Sequence, residues 1–321
     1  MKGFAYVIAQ TPESAVELVR NQGRFIAGGI DLLGELKEHI AEPRLLVNVK
    51  MLPGTQEVTP AADKWTIGAS VTLAALAAHA ELRRMFPGLA EAAGKVGSPQ
   101  MRNVATVGGN LAQHSRCWYY RHRDIRCLKK GGATCYAREG ENKYHSLFSG
   151  ATCISPAVSN LAIVLTALGA SVIVQRGPKE ATLTMAQLYE SAWENPQAHH
   201  SLKPADLILR VEIPVAAGGR STYLQVAEKS DFDWALVSCA AAARVEGGTL
   251  RGVRVVLGSV APIPWQVEEA NAFLEGKALT DEVATKAADL VMRDAEPLAH
   301  NAYKVPLAHT LVRRALAKLV A

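Results

Sequence analysis

Four of the five cysteines, Cys117, Cys127, Cys135 and Cys153, fall within 37 residues at the spacing C-x9-C-x7-C-x17-C. Four gathered thiolates hold either a zinc ion or an iron–sulfur cluster. Zinc sites draw their cysteines from close C-x2–4-C pairs, which this sequence lacks, and neither ferredoxin spacing fits. The irregular spacing still suits a long loop wrapped around a [4Fe–4S] cube with one thiolate at each corner. Residues 116–143 carry eight Lys and Arg against three Asp and Glu, a net +5 that equals the charge of the whole chain. A cube with four thiolates carries about −2, which such cations would offset. A four-thiolate zinc site carries the same charge, so charge leaves both open. Trp118, Tyr119, Tyr120 and His122 also suit a loop that stacks bases and grips phosphates, but that reading gives the cysteines no role. His114 and His145 are expected beside the ligands or on the surface rather than among them. Cys239, in the small-residue run ALVSCAAAARV (235–245), is expected to be a buried, inert thiol.

Two glycine turns form a second constellation. AGGIDLL (27–33) follows the apolar GRFI and comprises Ala27, Gly28, Gly29, Ile30, Asp31 and Leu32, with Leu33 closing it. Gly28 and Gly29 allow positive φ and close backbone approach to a ligand, and consecutive N–H groups in such a turn make an anion nest. In ATVGGNL (105–111), Thr106, Gly108, Gly109 and Asn110 offer hydroxyl, N–H and amide groups of the same kind. One anion, such as a phosphate, would account for both; the alternative is a pair of ordinary turns. The G-x-G-x-x-G dinucleotide fingerprint is absent.

The elements that must position these groups follow from the apolar pattern. A chain of 321 residues, 49% hydrophobic and 20% charged, reads as an ordinary globular protein of two domains. The odd cysteine count argues against a disulfide framework. LAIVLTALGASVIV (161–174) is broken by Thr166 and Gly169 and is too short to span a bilayer. The N-terminus has no signal-peptide cleavage site, which points to the cytoplasm, with export alongside a signal-bearing partner as the alternative. Residues 1–60 read as β-α-β with Thr11 capping the helix, followed by a further strand at 44–50. Strand, turn and helix follow over 64–82, then a helix leading to the second glycine turn by 111. After the cysteine-rich segment come a helix, a strand and the strand DLILRVEIP (206–214). VAAGGR (215–220) reads as a linker. Beyond it, after TYLQVAEK, WALVSCAAAARV reads as a helix and LRGVRVVLGSV as a strand, before two helices that end in LAHTLVRRALAKLV.

In order and spacing, AGGIDLL, QMRNVATVGGNL, ALGA, VEIP, VAPIPW and YKVPLAHTLVRRAL resemble the FAD-binding subunits of the xanthine dehydrogenase and carbon monoxide dehydrogenase (molybdenum hydroxylase) family. The cysteine-rich insert resembles the [4Fe–4S]-carrying branch, with the flavin subunits of 4-hydroxybenzoyl-CoA reductase and periplasmic aldehyde oxidoreductase. The resemblance implies an α+β fold: an FAD domain of the p-cresol methylhydroxylase type in two subdomains (1–215, insert 116–154), then a smaller sheet-plus-helix domain (216–321). It implies that Cys117, Cys127, Cys135 and Cys153 hold the cube and that the 27–32 and TVGGN turns grip the FAD pyrophosphate. Lys229 would lie near the isoalloxazine, and Asn160 would stand where the family commonly has Asp. Ile30 replaces the usual Thr or Ser. The implied function is electron transfer within a heterotrimeric oxidoreductase acting on an aldehyde or an aromatic acyl-CoA. Its partners would be a large subunit with the molybdenum cofactor and a small subunit with [2Fe–2S] clusters. The cube would serve as a port to a carrier such as ferredoxin or as a staple for the loop. The alternatives are a non-catalytic subunit with structural zinc and a nucleic-acid-binding module.

Overall fold

The computed structural model describes residues 1–20 and 22–321. The N-terminal strands β1 (Ala5–Ile8), β2 (Gly23–Ile26) and β3 (Leu45–Asn48) form a parallel sheet in the order β1-β3-β2. Their crossover helix, Pro12–Val19, is capped by the Thr11 hydroxyl, which accepts the Ser14 N–H at 3.2 Å. The helix buries Ala15, Val16 and Val19 against Val47, Leu52, Leu207 and Leu209.

A second sheet pairs β4 (Val58–Pro60), β5 (Lys64–Gly68), β6 (Ser171–Arg176), β7 (Lys179–Thr184) and β8 (Leu207–Pro214) in the antiparallel order β4-β5-β8-β6-β7. Short helices between Leu73 and Leu111 and the apolar helix Asn160–Ala167 complete this core. The segment between them contains only the single-turn helices Trp118–Arg121 and Leu128–Lys130, as its lack of periodicity predicts.

The C-terminal sheet runs β12-β11-β10-β9, with β9 at Gly219–Val226, β10 at Val237–Glu246, β11 at Thr249–Gly258 and β12 at Trp265–Gln266. Two expectations are corrected here. Residues 235–245, read as a helix, hold most of strand β10, and the closing helices number three: Glu268–Leu274, Asp281–Met292 and Lys304–Val320. The reason lies in packing. Cys239, Ala241 and Ala243 face the C-terminal helices, whereas Ala240 and Ala242 face the core shared with helix Asn160–Ala167. A strand covered on both faces shows no polar alternation, and tertiary contact overrides alanine's helix preference. Cys239 is fully buried, as expected, and burial pushes its thiol up. Among the described residues no helix is long and apolar enough to cross a membrane.

Candidate functional site

The turn after β2 opens onto a cavity of about 490 Å³, lined by Ala27, Gly28, Gly29, Ile30, Asp31 and Leu32. Thr106, Gly108, Gly109 and Asn110 line the same cavity, so the fold brings the two glycine turns together. The turns abut because Gly28 has no side chain: a Cβ there would overlap the Val104 carbonyl. Only Gly29 takes a positive φ, at 71°, which refines the expectation for the pair. Among the described residues, the backbone N–H groups from Gly28 to Leu32 have no protein acceptor. They form the open nest that an anionic ligand requires.

The second turn contributes differently. Gly108 N–H donates to the Ala69 carbonyl at 2.8 Å, Gly109 N–H to the Thr106 hydroxyl at 3.2 Å and Asn110 N–H to the Thr106 carbonyl at 2.8 Å. The Asn110 side-chain oxygen accepts from Ser159 at 2.7 Å. Its backbone donors are spent on the fold, and it supplies shape to the cavity wall. Asn160 and Lys229 stand apart from the cavity. The Asn160 amide donates to Gln225 at 3.3 Å, and Lys229 is exposed. From the Lys229 loop it is Trp234 that reaches the cavity, with the Arg116 guanidinium 4.4 Å over its ring.

All four clustered cysteines line one small second cavity, together with Tyr119, Tyr120, Lys129 and His145. They are free thiols, and burial pushes Cys117 up to about 12. Among the described residues no three His, Cys, Asp or Glu side chains converge tightly enough to grip a single metal ion. The cysteines are instead distributed around the cavity. His145 Nε2 lies 3.2 Å from Cys117 Sγ, which puts this histidine beside the cysteines, and burial lowers it to about 4.

The wall between the two cavities was not legible in the sequence. Asp31 accepts from Arg121 at 2.6 Å, pairs with Arg116 at 2.9 Å and accepts the His114 N–H at 2.7 Å. Four residues later, on the helix Leu32–Lys37, the buried Glu35 lies 2.8 Å from His114 Nδ1 and accepts from the Tyr120 hydroxyl at 2.7 Å. Burial alone would raise Glu35, but the hydrogen bonds of His114 and Tyr120, with the charges of His114 and Arg121, outweigh it and hold the carboxyl at about 2. His199 stacks on His114 at 4.0 Å and accepts the Ser115 N–H at 3.1 Å. The i, i+4 spacing of Asp31 and Glu35, which sets two carboxylates on one helical face, and the adjacent His199 and His200 were the available signals.

Residues 2–216 match the family described as the FAD binding domain in molybdopterin dehydrogenase, and residues 222–319 match the CO dehydrogenase flavoprotein C-terminal domain. The chain is 35% identical to the aldehyde oxidoreductase FAD-binding subunit of Escherichia coli (strain K12), covering 100% of this chain and 98% of that relative. It is 25% identical to the carbon monoxide dehydrogenase medium chain of Hydrogenophaga pseudoflava, over 98% and 96% of the two chains. Its fold matches a chain of the solved quinoline 2-oxidoreductase of Pseudomonas putida 86, with a TM-score of 0.77, 22% identity and coverage of 100% and 98%.

Proposed function

This chain belongs to the FAD-binding subunits of the xanthine and carbon monoxide dehydrogenase family, and from that premise we propose that it holds FAD in the larger cavity and a [4Fe–4S] cluster among Cys117, Cys127, Cys135 and Cys153. We place it in a molybdenum hydroxylase with a large molybdenum-cofactor subunit and a small [2Fe–2S] subunit, its substrate chemistry residing in the large one. The observation that carries the FAD assignment is the run of N–H groups from Gly28 to Leu32, without an acceptor among the described residues, on one wall of a cavity of about 490 Å³. That volume suits a cofactor site, for which about 300–1,000 Å³ is usual.

Bound FAD supplies exchange between one- and two-electron chemistry. The chain's own residues bind and orient it. The N–H groups of the first turn would hold its pyrophosphate, the second turn would shape the opposite wall, and Trp234 would offer it apolar surface. The Asp31 carboxylate is committed to Arg116 and Arg121, so this side chain orients the turn while its N–H stays part of the nest. For the cysteines, four thiols lining one cavity supply the corner ligands a cube requires, and their spacing lacks the close pairs from which zinc sites are built.

Anaerobic purification, an ultraviolet–visible spectrum and assays of flavin, iron, sulfide and zinc test the assignment. The expected result is one acid-releasable FAD with about four iron and four sulfide per chain. Zinc without iron would overturn the cluster, and a chain that takes up no FAD would overturn the cavity assignment.

A further inference from the structure

Lys129 is 8% exposed and lines the cysteine cavity. Its Nζ donates to the Ala198 carbonyl at 2.7 Å, and Ala198 lines the larger cavity. An ammonium has three N–H donors, and this is the one bond Lys129 makes among the described residues. None of the ion pairs formed among those residues includes it. The other deeply buried lysine, Lys304, satisfies two donors with the His145 and Ser259 carbonyls, at 2.9 and 2.5 Å. The exposed cations of the insert, Arg123, Arg126, Arg138 and Lys143, are screened by solvent.

A buried cation without a counter-ion is costly. The groups that face Lys129 and can become anionic are the cysteines, which shed their protons on taking up metal. We infer that Lys129 is the buried counter-cation of the group held by the four thiolates, and that its charge sets that group's reduction potential. The inference rests on the [4Fe–4S] reading above. Reduction adds a negative charge to the cluster, so a nearby fixed cation favours the reduced form more than the oxidised one. Lys129 therefore holds the potential up, and the Ala198 bond fixes it between the two cavities.

The test is a redox titration of the purified chain, followed by the cluster's visible absorbance and electron paramagnetic resonance. Lys129→Gln keeps a donor for Ala198 and loses the charge; Lys129→Arg keeps the charge. The expected result is an iron-loaded Gln variant with a potential shifted negative and an Arg variant near the wild type. An unchanged potential in the iron-loaded Gln variant overturns the inference. Failure of Gln but not Arg to take up iron supports it, because charge is then needed to hold the group. Failure of both overturns it in favour of a purely positional role. Zinc and no iron in the wild type would refute the cluster reading separately. Zinc affinity across the same variants then replaces the potential, with Gln weakest expected and equal affinities overturning the inference.

Discussion

At Gly28 a Cβ would collide with the Val104 carbonyl, whereas at Gly109 it would meet nothing closer than the Thr106 hydroxyl at 3.0 Å. The two glycines of the larger cavity therefore answer differently to alanine. Gly28→Ala forces the two turns apart, and we expect lost flavin together with about 1–3 kcal/mol of lost stability, the usual range for overpacking. Gly109→Ala asks only a small shift of one hydroxyl and should retain most of its FAD. Flavin released on acid precipitation and urea unfolding read the two effects; equal flavin loss in both variants would contradict the geometry. On the proposed [4Fe–4S] reading, serine at Cys117, Cys127, Cys135 or Cys153 should lower iron content by about four per chain, because all four thiolates are needed for one cube. Cys239→Ser should leave iron unchanged, since Cys239 lies in the C-terminal core, away from the cysteine cavity.

The helix Leu32–Lys37 works as an element because Asp31 at its start and Glu35 one turn later grip the beginning of the insert. Glu35 is held at about 2 against an ordinary 4.5. A carboxylate depressed on folding contributes stability that is full above about pH 4.5 and lost as pH falls toward 2. The lowering corresponds to about 3 kcal/mol. Acid should therefore loosen the insert from the first glycine turn within that window. Glu35→Gln should be less stable than the wild type at pH 7, and its further loss between pH 4.5 and 2 should be smaller. Urea midpoints across that pH range would show it, and parallel curves for the two proteins would count against the Glu35 anchor.

For the whole molecule, the insert is held on two sides. Residues 114–121 grip the first glycine turn and its helix, and Asn301 and Lys304 of the C-terminal domain bind the His145 carbonyl at 3.2 and 2.9 Å. Arg121 and Lys129 turn inward to Asp31 and Ala198, leaving Arg123 and Arg126 as the exposed cations next to Cys127. If the cluster exchanges electrons with an acidic carrier, those two arginines steer it over about a Debye length. In the assembled complex, Arg123→Gln with Arg126→Gln should lower turnover with ferredoxin and weaken its salt dependence, while turnover with a small neutral dye stays the same. Unchanged ferredoxin turnover at low salt would leave the cluster as a staple for the loop.

The local chemistry was already written in the sequence. The four cysteines, the two glycine turns and the Thr11 cap are short-range features whose residue types carry their meaning wherever the chain goes. The order of the motifs along the chain was enough to identify the family. Tertiary structure decided what depends on who covers whom. Strand β10 looks helical because alanine favours helices, and only the cores on both its faces make it a strand. The second glycine turn looks like a nest until Ala69 and Thr106 take its donors. Lys129 and Arg121 look like surface charge until burial and Asp31 claim them. Hydrogen-bond partners and burial come from segments distant in sequence, such as Glu35 and Tyr120, 85 residues apart. No local pattern records such pairings, because their energy exists only once the chain has closed on itself.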